Sequence, residues 1–599
     1  MRCHPALLLL LLALAAPARA AVPPGFEETS LPVPGLVATG LAWAPDGSGR
    51  LFLLDKGGRV LVAALRDGAL VREGGAVALS PFATEDVFTE SECGLLGIAF
   101  DPNYAVNRFV YLFLTATAST QRIVRYTDVD GVGTGRTVVV DGLPTRGRNH
   151  DGGGLGFGLD GKLYWSIGDL GAGVGVDGDL RSAAAKVGRA NPDGTPVSDN
   201  PFNDGAGPND DFVWARGLRN PFTLTFEPGT GRLWVSSAGT QYEQIFVPAR
   251  GDHAGWDDYE NDQPAGFLPP TIKYRTNGVD VRALTAATRS AGTATFTTRT
   301  AHGFRQGERL RVEGVADASF DGTLYVASTP GPTTWTAAQA GPDAASSGGT
   351  ATTQAIGGAV TGGTFYDATL FPPDYRGNYL FGDYNSGRLT RATLTAQGAV
   401  ATVDPWASGF SQAVDLAVGP EGALYVASVG SGTLGRIAPA APPQQLVVSA
   451  LHLPVVEGGR AVFTVRLAQA PAAEVSVLVQ RSAGDADLSV QAGAQLRFTP
   501  ANWRELQAVT LAAAEDADAE ADRAQFSVAA PGLATETVQA LSIDGSAPPP
   551  PPPAPPPPPP PLPEAPEEEP EEDDGCGVAG GAGGAAAWLA LLALLRRRR

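Results

Sequence analysis

The chain has 599 residues, among them 75 glycines and 50 prolines, and a formal net charge of -20. That length exceeds one domain, and the glycine and proline content points to a turn-rich, mostly β protein with low-complexity pieces. The negative charge speaks against a nucleic-acid partner, whose phosphates it would repel, and fits a soluble extracytoplasmic protein with carboxylates to offer cations.

Residues 1–20 read as a secretory signal: Arg2, an apolar run from Leu7 to Ala16, and a small-residue cleavage site at Ala18-Arg19-Ala20. The run is short for a membrane span. Of three cysteines, Cys3 lies in the signal and Cys576 near the C-terminus, so Cys93 alone cannot staple the main body.

Between residues 21 and 440, six segments share one grammar: an apolar strand, a turn with Asp, Pro or Gly, and a second strand carrying Leu or aromatic residues. They begin at Gly40, Gly94, Gly154, Pro221, Gly362 and Ala413. Each reads as an antiparallel hairpin. The repetition predicts an all-β, six-bladed β-propeller, with a long barrel or sandwich pair as the competing architecture. The widest gap, between the fourth and fifth copies, holds an inserted small β-module at residues 282–353 with alternating Thr, Val and aromatic residues. It resembles a β-module inserted in bacterial and phage surface proteins, in which His302 is a structural residue.

A linker at Pro439–Pro443 leads to a second all-β segment, residues 445–543, expected to be a C-terminal β-sandwich. It resembles a Calx-β domain. Its acidic run Glu515, Asp516, Asp518, Glu520 and Asp522 matches where that family gathers calcium, or is a solvated acidic loop. Residues 546–574 form a proline-rich and acidic stalk. Residues 575–599 carry Gly575-Cys576-Gly577, an apolar run and four arginines. The tail resembles the sorting tags of Gram-negative surface proteins, especially the myxobacterial type. A plain membrane anchor is the alternative, and either one predicts a tethered, outward-facing protein that meets membrane only through this segment.

The chemistry concentrates at Arg148–Gly171. His150 stands in a glycine-rich turn, Asn149-His150-Asp151-Gly152-Gly153-Gly154, and the strand Lys162 to Ile167 delivers Asp169. Glycines let a backbone approach a ligand closely and are expected to leave the histidine exposed. A general base needs such a place and a carboxylate to orient its ring. A β-turn with a surface histidine is the plainer reading.

Five motifs, at Gly94–Tyr104, Asn149–Asp169, Lys186–Phe202, Gly217–Val235 and Gly362–Leu389, resemble in this order the glucose/sorbosone dehydrogenase family. Its best-known members are soluble quinoproteins using pyrroloquinoline quinone (PQQ). The resemblance implies PQQ and calcium as cofactors, an aldose oxidised to its lactone, and an electron acceptor it leaves unnamed. His150 falls on the catalytic base and Asp169 on the carboxylate that orients it. Arg219 and Asn220 fall on the pair contacting the quinone, and Asn149 on a further cofactor contact. Gly239 and Thr240 fall where backbone carbonyls bind calcium. Leu218 and Phe222 depart from the family's pattern, Asp367 stands where it has a lysine, and Glu92 where it has an amide. Arg388 is a candidate to replace the lost cation. Some propellers of this family are binding modules, so a non-catalytic surface propeller for glycans or proteins is the rival. A calcium-bound lactonase-like propeller would need Asp and Asn at equivalent blade positions, and no such set is seen.

Overall fold

The computed structural model describes residues 20–172, 175–260, 263–515 and 521–543. The signal, stalk, C-terminal tail and the acidic residues Asp516, Asp518 and Glu520 lie outside them. Among the described residues, no helix is long and apolar enough to cross a membrane.

Each of the six repeated segments forms a hairpin, and further strands extend it into an antiparallel sheet. The first sheet is built on Ala38–Trp43 and Arg50–Asp55, the second on Leu95–Phe100 and Phe109–Thr117, the third on Leu155–Phe157 and Leu163–Ile167. The fourth is built on Asn220–Phe226 and Leu233–Ala238, the fifth on Val360–Phe365 and Tyr379–Asp383, the sixth on Ala413–Val418 and Leu424–Ser428. Glycines in the first turns, such as Gly161 (φ 67°) and Gly422 (φ 86°), take the left-handed conformation that tight hairpins require.

The first strands of successive sheets touch in order, and the sixth touches the first, so the sheets close into a β-propeller-like ring. Second strands such as Leu163–Ile167 and Leu424–Ser428 are buried along their whole length, because a neighbouring sheet covers each face. The sixth sheet takes its outer strand from the other end of the chain: Phe26–Pro32 pairs antiparallel with Thr433–Pro439. Trp43 of the first sheet meets Tyr425 of the sixth edge-on at 5.1 Å, so packing as well as strand pairing closes the ring.

Between the fourth and fifth sheets, strands from Val281–Ser290 to Thr350–Thr353 form the inserted module with its own core, where Phe296 stacks on Trp335 at 4.4 Å. His302 is buried there, with Nε2 at 3.1 Å from the Gly331 carbonyl and Nδ1 accepting the Phe304 N–H. These are the bonds of a structural histidine.

From Leu446–Val448 to Glu536–Ile543 two sheets enclose one apolar core that includes Phe463, Val465, Val509 and Phe526. This C-terminal unit rests on the first turn of every sheet in the ring. Gly47 abuts Val462 and Ala508, Asn103 accepts the Arg460 N–H, and Gly161 abuts Ile543. Gly229 lies against His452, Arg376 makes a bidentate pair with Glu536 at 2.8 and 2.9 Å, and Pro420 accepts from Thr464.

Candidate active site

The opposite end of the ring carries the chemistry. Glu92, His150 and Arg219-Asn220 stand where the chain enters the first strands of the second, third and fourth sheets. Asp169 follows the second strand of the third sheet, at the same end. The glycine run after His150 is needed for packing. A Cβ on Gly152 would stand 2.1 Å from the Ser166 carbonyl, and one on Gly154 would stand 2.6 Å from Ser166 Oγ. Asp151 is fully buried and accepts hydrogen bonds from Cys93 Sγ, Gln121 and Thr145, which pins the turn from inside.

His150 itself has φ 60°, a left-handed conformation rare for a residue with a side chain. Its Nδ1 is hydrogen-bonded to Asp169 Oδ1. The histidine side chain is 13% exposed and that of Asp169 2%, so the ring is more covered than its glycine neighbours suggested. Asp169 also accepts the Gly171 N–H at 2.8 Å and the Trp256 indole N–H at 2.8 Å. Burial pushes its carboxyl up, but the hydrogen bonds from His150, Gly171 and Trp256 outweigh it and hold the group below its ordinary value. An ionised Asp169 keeps the imidazole proton on Nδ1 and leaves Nε2 as the basic nitrogen. Among the described residues Nε2 has no hydrogen-bond partner.

Arg219 donates from Nη1 to the Ala238 carbonyl at 3.1 Å and lies over the Trp256 ring at 5.2 Å. Its own carbonyl accepts the Asp169 N–H at 2.7 Å. Arg219 Nε and Asn220 Oδ1 are buried without a partner. Orphaned polar atoms of this kind are costly unless a ligand satisfies them. A cationic donor and an amide acceptor side by side suit an anionic, carbonyl-rich molecule.

The loop after Ala238 forms a second feature. The N–H groups of Thr240, Gln241 and Tyr242 converge on Glu260 Oε1, beside Gly239. Three N–H donors on one oxygen hold this carboxylate in place at the turn.

Comparison with known proteins bears on this end of the ring. Residues 37–302 match the glucose/sorbosone dehydrogenase family. The matched segment contains Glu92, Asn149, His150, Asp169, Arg219, Asn220, Gly239, Thr240 and Trp256. The uncharacterized protein slr1608 of Synechocystis sp. is 32% identical over 249 residues, 38% of this chain and 59% of that protein. Aldose sugar dehydrogenase YliI of Escherichia coli is 27% identical over 224 residues, 36% of this chain and 57% of the enzyme. Quinoprotein glucose dehydrogenase B of Acinetobacter calcoaceticus is 28% identical over 256 residues, 37% and 51% of the two chains. The chain thus spans between half and three fifths of these relatives' lengths.

Within the matched segment the structure brings His150, Asp169, Arg219 and Asn220 together. Asn149 is exposed beside them, accepting from Ser91 Oγ at 2.7 Å. Two expectations change outside the segment. Asp367 is no missing cation of the site. It lies in the first turn of the fifth sheet, at the far end, and pairs with His452 Nδ1 at 2.7 Å. Arg388 opens the third strand of the fifth sheet and gives its guanidinium to the carbonyls of Ala355 and Ile356, not to the cluster around His150.

Sequence reasoning missed Trp256, Gly168 and Glu260. Trp256 was detectable as one of two large aromatics, with Tyr259, in the polar loop from Gly251 to Glu260. In the C-terminal unit, Asp522 gathers with Asp485 and Asp487, their oxygens within 4.8 Å of one another. Of the acidic run read from sequence, only Glu515 and Asp522 are described.

Proposed function

We propose that the chain is a surface-tethered sugar dehydrogenase that oxidises an aldose to its lactone with PQQ and calcium. The observation that carries this reading is His150: Nδ1 is held by the Asp169 carboxyl group, Nε2 has no hydrogen-bond partner among the described residues, and the orphaned Arg219 Nε and Asn220 Oδ1 stand nearby. His150 Nε2 takes the proton of the anomeric hydroxyl. Asp169 stabilises the imidazolium that results. Arg219 and Asn220 would hold the quinone, and the backbone carbonyls of Gly239 and Thr240 would hold calcium. The chemistry that PQQ would supply there is a two-electron acceptor for the hydride that leaves the anomeric carbon.

The reading includes a six-bladed propeller, a Calx-β-like sandwich below it, and export to a Gram-negative cell surface through residues 1–20 and 575–599. The electron acceptor is left unnamed. A non-catalytic propeller that binds glycans or proteins is the second reading. It is favoured by Glu92, whose carboxyl group stands in the same mouth where an anionic cofactor has to sit.

The test is a PQQ titration of the purified full chain with calcium in excess, followed by absorbance, then dye reduction with a panel of aldoses. Saturable binding with dye reduction is expected, and loss of turnover without unfolding in His150→Ala. No binding by the folded protein moves the assignment to the display propeller.

A further inference from the structure

Segment 90–92 is laced onto segment 148–150 almost residue by residue. Glu90 pairs with Arg148 at 2.6 Å, Ser91 Oγ donates to Asn149 Oδ1 at 2.7 Å, and the Glu92 N–H donates to the Arg148 carbonyl at 2.9 Å. Two further bonds are of a different kind: Glu92 Oε2 accepts the backbone N–H of His150 at 2.8 Å and, on the same oxygen, the Asn220 Nδ2–H at 3.1 Å. Glu92 therefore joins the entry loops of three neighbouring sheets at one atom.

We propose that Glu92 is a positioning residue of the site, whose side-chain oxygen holds His150 in its left-handed backbone conformation and sets Asn220 beside it. Three observations support this. His150 at φ 60° needs an external restraint, because an unrestrained non-glycine residue leaves that region. The Glu90–Arg148 pair cannot supply it, since both side chains are about half exposed or more and surface pairs contribute little. Asn220 donates its amide to Glu92 while its Oδ1 is left without a partner, so the Glu92 bond fixes which face of the amide a ligand meets.

The surroundings fit an oxygen acceptor more than a free anion. His150, Asp151, Asn220, Lys56 and Tyr384 all lie close enough to interact with Glu92. Burial, first of the causes, pushes its carboxyl up, with Asp151 adding to the push and His150 and Asn220 opposing it. An amide at this position, as the sequence resemblance implies for relatives, presents the same acceptor oxygen. The carboxylate is thus a change of charge that keeps the positioning bond.

The proposal rests on His150 being the base, but its test needs neither cofactor nor sugar. Hydrogen–deuterium exchange is measured on the full chain for the wild type, Glu92→Gln and Glu92→Leu. Glu92→Leu is expected to speed exchange of the peptide covering Asn149–Asp151 roughly tenfold, with the ring strands unchanged. Glu92→Gln is expected to stay close to wild type. Unchanged exchange in Glu92→Leu, or a Glu92→Gln protein as fast as it, overturns the proposal. If the leucine variant does not fold, Glu92→Asp, one methylene short, replaces it with the same two readings. Failure here leaves the dehydrogenase reading standing, and failure of the PQQ titration leaves this result standing.

Discussion

Trp256 and Asp169 meet between the third and fourth sheets: the indole Nε1–H donates to Asp169 Oδ2 at 2.8 Å, and the same ring carries the Arg219 guanidinium at 5.2 Å. One side chain thus supports both the carboxylate bonded to the His150 ring and the cation proposed to meet the cofactor. Trp256→Phe keeps an aromatic face and removes the donor. Asp169 then loses a bond that favours its ionised form, so its carboxyl rises, and the acid limb of the kcat/KM profile is expected to move to higher pH. The rate at neutral pH should fall roughly tenfold. A pH–rate profile checks this, and a wild-type profile would remove Trp256 from the site.

Gly168 is the second prediction. A Cβ there would stand 2.4 Å from the His150 carbonyl oxygen and 2.8 Å from that of Arg219. Both are backbone atoms that cannot swing aside. Gly168→Ala should lower stability by about 1–3 kcal/mol, the usual cost of overpacking, and displace base and arginine together. Thermal unfolding and turnover measured on one sample decide it. Full activity in that variant would mean the loops are softer than their packing implies.

For Arg219, substitution by alanine should weaken PQQ binding by tenfold or more while leaving the KM for sugar nearly unchanged, because charge-assisted bonds to an anion are lost. Cofactor titration against sugar titration separates the two. Equal PQQ affinity would take Arg219 out of the cofactor contact.

Asp415 gives a pH prediction independent of the reaction. It lies in the first strand of the sixth sheet and accepts the Leu41 N–H of the first sheet at 3.0 Å. Burial pushes its carboxyl up to about 7, against two backbone donors, Leu41 and Leu416, that oppose the rise. A folded-state value above the unfolded one means the folded state binds the extra proton. The stability it lends is therefore full below the unfolded value of about 4 and is lost as pH rises through about 7. Asp415→Asn should flatten the fall of Tm between pH 5 and 8 and be the more stable protein at pH 8. Glu243 and Glu308, also pushed up to about 7, leave a residual slope of the same sign. An unaltered slope in the variant would count against the assignment.

Much of this was legible in the sequence for a physical reason. Hairpins announce themselves by turn glycines and apolar runs, and each of the six repeats found its sheet. His150 and Asp169 were legible because one hairpin separates them, so the same sheet presents both at one end. Glu92 was noted only as a departure from the family's pattern; its bond to His150, like the place of Trp256, was not legible, because both reach His150 and Asp169 only when the ring closes and brings loops of neighbouring sheets together. Asp367 was misplaced for a different cause. It stands two residues beyond the end of a first strand, Val360–Phe365, and such first turns lie at the far end of the ring. Counting strand ends, instead of matching motif positions, would have put it beside His452.

The C-terminal unit gives the ring a floor. It touches the first turn of all six sheets, whereas His150, Asp169 and Arg219 stand at the other end. Under the proposed function, whatever enters or leaves the site would have to do so from the end that this floor leaves uncovered, so crowding there is a property of the architecture and not of any one residue. The chain leaves the described unit at Ile543, against Gly161 on the floor side. The last described strand thus ends on the covered side of the ring and not on the side of His150.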